Sequence, residues 1–156
     1  LIGVYQLALV TSSNHAEDVY ITTDPKAIGR MLERMREKIV SARNELALWE
    51  ADIRDDDTLL LIVYGVTARA AREAVEELRA RGVKIGILVL KTLYPVPVDV
   101  LRGHIAGKKK IVVVEMNQGL YLREIERLAG NTPIHFHGEM NGELIDPQAI
   151  VREVLS

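Results

Sequence analysis

At 156 residues, with 48% hydrophobic and 27% charged residues and a net charge of −2, the chain has room for a sandwiched core but no electrostatic reason to bind nucleic acid or an anionic membrane. It has no cysteine, which excludes disulfides, zinc–thiolate centres and cysteine-ligated iron–sulfur clusters within the chain and fits an intracellular protein. An aromatic content of 4% leaves little for base stacking.

Residues 1–10 are largely apolar but about half the length that spans a bilayer, with no basic lead or small-residue cleavage site. The chain opens on leucine and reads as a segment of something longer or a processed product. Asp24-Pro25 then starts a long helix, cap followed by N1 proline, expected over about residues 25–50. Ile28, Leu32, Met35, Ile39, Ala42, Leu46 and Trp49 recur at alternating spacings of four and three. That short heptad seam suits a helix lying across the domain or against a partner subunit, a homodimer included. Residues 51–58 are polar and acidic and read as a linker, dividing the chain into a joining segment (1–57) and an α/β domain (58–156).

In that domain Leu59–Tyr64, Ile85–Leu90 and residues 111–114 are continuous apolar runs, as strands buried on both faces of a parallel sheet require. Amphipathic segments alternate with them, the βαβ signature. The first helix has Thr67 as cap, Ala71, Ala74, Val75 and Leu78 inward, and Gly82 at its end. Arg69–Glu73 and Arg72–Glu76 stand four apart on its outer side. The second has Pro97 near its start, Val100, Leu101 and Ile105 inward, and Gly107 after it. The third is expected to start at Asn117, bury Leu120, Ile125 and Leu128 and stop at Gly130. A short strand over residues 133–136 leads to a glycine-containing loop, and Asp146-Pro147 opens a terminal helix with Ile150, Val151 and Val154 inward.

Chemistry is sparse. Glu115 stands where a strand ends and a helix begins, the place where open α/β sheets meet ligands and partners. A carboxylate desolvated on its strand side needs a donor, a cation or a proton, and the commoner outcome is a structural or interface role. Asn117 and Gly119 follow it. Gly65 and Thr67 form a second strand–glycine–helix junction, whose amides can hold an anion but which lacks both nucleotide-loop fingerprints. His135 and His137 share a strand face with Glu139 nearby, and His15 precedes Glu17 and Asp18; neither set makes a convincing metal site, and none is expected. Lys108-Lys109-Lys110 reads as a solvated turn, and Thr92–Pro97 as a proline-stiffened loop fit for docking. No nucleophile–base–acid series can be assembled, so no catalytic residue is assigned.

The series Tyr64-Gly65-Val66-Thr67-Ala68-Arg69, Gly82-Val83-Lys84-Ile85-Gly86, Thr92-Leu93-Tyr94-Pro95-Val96-Pro97 and Val114-Glu115-Met116-Asn117-Gln118-Gly119 resembles the carboxyl-terminal region of the α subunit of 2-oxoacid:ferredoxin oxidoreductases, leaning to the 2-oxoglutarate type. Residues 15–25 are similar to the segment joining that subunit's two domains. The resemblance implies a transketolase C-terminal-like fold: a three-layer αβα sandwich around a mostly parallel sheet of about five strands. It also implies a domain that assembles and shapes a cytoplasmic enzyme without being active alone, with Glu115, Asn117, Gly119, Gly65 and Thr67 at ligand or subunit contacts. Thiamine diphosphate, Mg and iron–sulfur clusters would sit on other domains or subunits; ferredoxin and CoA would serve the whole complex. The alternatives are a free-standing interaction module of the same fold, or the carboxyl-terminal domain of a transketolase or a 2-oxoacid dehydrogenase β chain.

Overall fold

The computed structural model describes residues 14–17 and 20–156. The apolar run over residues 1–10 and Asp18 of the His15 group lie outside the described residues. The chain forms two compact units, Leu1–Arg43 and Asn44–Ser156.

In the first unit, His15 bridges Ile21 in antiparallel fashion. Helix α1 (Pro25–Ser41) starts as the sequence predicts: Asp24 accepts from the amides of Lys26 and Ala27 at 3.1 and 3.2 Å, and Pro25 occupies the first turn. It ends well short of residue 50. The backbone leaves the helical basin at Ala42, a short turn α2 (Arg43–Leu46) follows, and the chain is extended by Trp49.

Trp49–Asp52 is strand β1, not helix and linker. It pairs antiparallel with β3 (Ile85–Leu90), Trp49 opposite Leu90, and the Trp49 ring meets His104 edge-on at 4.9 Å. Trp49 therefore continues the heptad spacing by coincidence, its ring meeting His104 outside any helical seam. Arg79 ties the strand down. Its guanidinium donates to the Asp52 carboxylate at 2.7 Å, the Asp52 carbonyl at 2.9 Å and buried Asp57 at 3.2 Å.

The sheet order is β1-β3-β2-β4-β5, with β2 (Leu59–Tyr64), β4 (Lys110–Glu115) and β5 (Ile134–Gly138) parallel to β3. Strand alternation divides the core in two. Leu61, Val63, Ile87 and Val112 face α3 (Thr67–Ala80) and α6 (Pro147–Leu155). Leu60, Ile62, Leu88 and Val113 face α4 (Val98–Ile105) and α5 (Leu122–Ala129). This is the expected αβα sandwich. No helix among the described residues is long and apolar enough to cross a membrane.

Local expectations fared unevenly. Asp146 caps α6 through the Gln148 amide at 3.0 Å. Val66, not Thr67, holds the α3 cap position, without a side-chain bond; Thr67 is the buried first residue of the helix. Neither expected i,i+4 pair forms on α3; Arg72 instead reaches across to Glu50 on β1 at 2.6 Å. Lys108 and Lys110 are not simply solvated: their ammonium groups donate to the carbonyls of Asp57 and Val154 at 2.7 and 2.9 Å.

Candidate functional site

The connection after β2 runs through α3 on one face, whereas the connection after β4 leads to α5 on the other. The carboxyl ends of these neighbouring strands therefore flank the topological switch point, where this class of sheet opens a crevice. Tyr64 ends β2 and Glu115 ends β4. Here the crevice is closed by the protein's own side chains.

The Tyr64 hydroxyl donates to Glu115 Oε2 at 2.8 Å. The same oxygen accepts the Tyr121 amide at 3.0 Å, and Oε1 accepts the Leu122 amide at 2.7 Å. Glu115 is 1% exposed, so both oxygens are desolvated and both are engaged. The two amides belong to the first turn of α5, so the carboxylate caps that helix from a neighbouring strand and complements its positive end. Asn117 Nδ2 donates to the Tyr64 hydroxyl at 2.7 Å, while its Oδ1 accepts the amides of Gly119 and Leu120 at 2.9 and 2.8 Å. Asn117 thus caps a turn, with Gly119 at φ +82°, and α5 begins only at Leu122. Leu120, expected in the core, is 72% exposed as a result.

Three of the sequence candidates, Glu115, Asn117 and Gly119, converge here; Gly65 joins them through Tyr64, turning the chain out of β2 at φ +60°. Thr67 lies beyond that turn, on a groove of about 470 Å³ between α3 and the β5–α6 loop, lined also by Val66, Met116 and Leu144. Sequence reasoning passed over three participants. Tyr64 looked like the apolar end of a strand. Tyr121 stacks edge-on against Tyr64 at 5.8 Å, and its buried hydroxyl has no partner among the described residues. Gly138 lies opposite Glu115 in β5, where an added Cβ would stand 2.5 Å from the Asn117 carbonyl and 2.6 Å from the Phe136 ring. We expect Gly138→Ala to destabilise the domain by about 1–3 kcal/mol. Gly103→Ala on α4, where nothing lies within 4 Å, should be neutral or slightly stabilising; thermal melts of the pair check the contrast.

The Tyr64 phenol is pushed up to about 12, first by burial and then by its bond to the Glu115 carboxylate, with Asn117 pulling the other way. Burial likewise raises Tyr121. The native state favours the neutral Tyr64 phenol, so this contribution to stability is complete below about pH 10 and is lost as pH rises towards 12. Absorbance titration should show a late phenolate step near pH 12 that Tyr64→Phe removes. A titration complete by about pH 10.5 would contradict the network.

The remaining candidates do not assemble into a centre. His135 faces Glu153 at 3.3 Å and His137 faces Glu139 at 2.8 Å, each histidine with its own carboxylate. Among the described residues no three His, Asp or Glu side chains are placed to hold a metal ion, and the sequence has no thiolate for a cluster.

Residues 58–150 match the family model for pyruvate:ferredoxin oxidoreductase core domain II. The chain is 32% identical over 147 residues to the 2-oxoglutarate synthase subunit KorA of Methanocaldococcus jannaschii, covering 94% of this chain and 39% of that protein. Among solved structures it resembles 2-oxoglutarate:ferredoxin oxidoreductase from Magnetococcus marinus, determined with 2-oxoglutarate, coenzyme A and succinyl-CoA bound, with a TM-score of 0.73 at 26% identity over 94% of this chain and 26% of that one. A split-gene transketolase, an inactive β4 tetramer, shares the fold at a TM-score of 0.56 and 16% identity, over 68% of this chain and 40% of that one. The chain spans about two fifths of the length of the Methanocaldococcus jannaschii subunit. With the family model covering the greater part of its length, the chain belongs to the pyruvate:ferredoxin oxidoreductase core domain II family.

Proposed function

We propose that this chain is an assembly domain of the α subunit of a thiamine-diphosphate-dependent 2-oxoacid:ferredoxin oxidoreductase, an enzyme that converts a 2-oxoacid and CoA to acyl-CoA and passes electrons to ferredoxin. The match over 94% of the chain to a 2-oxoglutarate synthase subunit supports this reading and favours 2-oxoglutarate as substrate. The closed switch point supports a scaffolding rather than a reacting role, since both Glu115 oxygens are engaged within the chain. Glu115, Asn117 and Gly119 act on subunit contacts by fixing the loop over residues 116–121; Gly65 and Thr67 do the same for the turn into α3. Thiamine diphosphate, magnesium and the iron–sulfur clusters reside on other domains or subunits, and the complex works in the cytoplasm.

Replacement of the matched residues of the Methanocaldococcus jannaschii subunit by this chain, with the remaining subunits co-expressed, tests the proposal. The fused enzyme should reduce a viologen dye only when 2-oxoglutarate and CoA are both present, whereas the chain alone should not. An assembled fused enzyme without that activity, or turnover by the chain alone, would sink the reading.

A further inference from the structure

We propose that the carboxyl edge of the sheet is the face through which this domain docks on the remainder of its own subunit, a folded surface presenting apolar side chains; this rests on the subunit reading above. Every strand sends a connection to this edge, and each carries a large apolar side chain in water. Leu48 precedes antiparallel β1, Val66 follows β2, Tyr94 follows β3, Leu120 follows β4, and Met140 and Leu144 follow β5. These side chains are 45–78% exposed. The opposite edge differs. Its connections, over residues 81–84, 107–109 and 131–133, bear no exposed large hydrophobic, and Leu155 at the end of α6 is the exception near it. Single exposed apolar residues are ordinary, but within the unit Asn44–Ser156 a set gathered along one edge, with Leu155 apart from it, marks an interaction surface.

The dimensions suit a protein partner. Strands about 4.8 Å apart and helical layers about 10 Å to either side give an edge on the order of 600–800 Å², one side of a standard interface. The groove beside α3 has Val66 and Leu144 on its walls and Arg69 at its rim, a concave seat for an anchoring side chain. The polypeptide also enters this unit at the same edge, where the Leu48 carbonyl accepts from the amides of Lys91 and Thr92 at 2.9 and 3.1 Å. The matched region makes up only 39% of the curated relative and 26% of the structural neighbour, so an intact subunit of that kind supplies a second body larger than this domain.

The probe is the part of the Methanocaldococcus jannaschii subunit outside the matched residues, made as a separate polypeptide and mixed with this chain. Sedimentation velocity should show a one-to-one complex. Leu120→Glu combined with Leu144→Glu should weaken it by about tenfold or more, while Leu155→Glu leaves it unchanged. Melting by circular dichroism, unchanged for each variant, separates lost docking from lost folding. Equal binding by the edge variants would overturn the docking face and leave the subunit reading standing. Absence of any complex would overturn the proposal, and the subunit reading is then decided by the fused enzyme's activity. A dimer of this chain alone that the edge variants abolish, with no probe bound, would make the occupant a second copy and likewise overturn it.

Discussion

Glu115→Ala should lower the stability of the sheet unit by about 3–5 kcal/mol, the largest effect expected of any single side chain outside the aliphatic core. The substitution strands the amides of Tyr121 and Leu122 and removes the acceptor of the Tyr64 hydroxyl, all in a setting where Glu115 itself is 1% exposed. Each bond to an ionised acceptor is worth about 1.5–3 kcal/mol, and each buried donor left unpaired costs about 1–3. The two figures describe overlapping losses, which is why the total stays below their sum. For a unit of this size the melting temperature should fall by roughly 10–20 °C. Glu115→Gln keeps one acceptor oxygen and the side-chain volume, so its loss should be smaller. Urea unfolding of the two variants beside the parent protein gives the comparison. A loss below about 1 kcal/mol for the alanine variant would mean the network is dispensable.

Arg79→Ala should cost about 2–4 kcal/mol and loosen one edge of the sheet in particular. The Arg79 side chain is 11% exposed and donates to the carbonyls of Ile85 and Asp52 as well as to the carboxylates of Asp52 and Asp57. Removing it leaves the Asp57 carboxylate, whose side chain is 2% exposed, with the Arg54 backbone amide at 2.7 Å as its donor. An unbalanced buried carboxylate is the costly part; the Asp52 bond counts for less, because that carboxylate is more than half exposed. Hydrogen exchange should accelerate first in residues 49–57, ahead of β2 and β4. Uniform acceleration across the sheet would assign Arg79 to global rather than edge stability. Arg79→Lys, which keeps the charge but loses the fork, should recover only part of the loss.

Features carried by neighbouring residues could be read from the sequence. The apolar runs of β2, β3 and β4 gave the buried strands, and the Asp-Pro pairs at residues 24–25 and 146–147 gave two helix starts, because capping is settled within four residues. Partners distant in sequence are another matter. The spacing of Trp49 from Leu46 fits a heptad and predicts helix, whereas pairing with Leu90 decides its conformation. The sequence predicts Asn117 as a helix cap, and it does cap, but it closes a turn while Glu115 takes the helix. Tyr64 and Glu115 are 51 positions apart, and no local pattern relates a strand-ending tyrosine to a carboxylate two strands later in the chain. Gly138 is similar: its need for a bare Cα comes from the Asn117 carbonyl, which only the β4–β5 register brings near. The family resemblance was legible because it rests on short ordered segments that survive without knowledge of these pairings.

In the scaffolding role proposed for this domain, Glu115 organises the carboxyl edge and takes no part in the reaction. Turnover of the fused oxidoreductase carrying Glu115→Gln, assayed with 2-oxoglutarate and CoA well below its melting temperature, tests it most directly. A scaffolding Glu115 gives a lower melting temperature with kcat and KM within about a factor of two of the parent enzyme. A collapse of kcat in an enzyme that melts like the parent would place the carboxylate at the reacting atoms and rule out the scaffolding role.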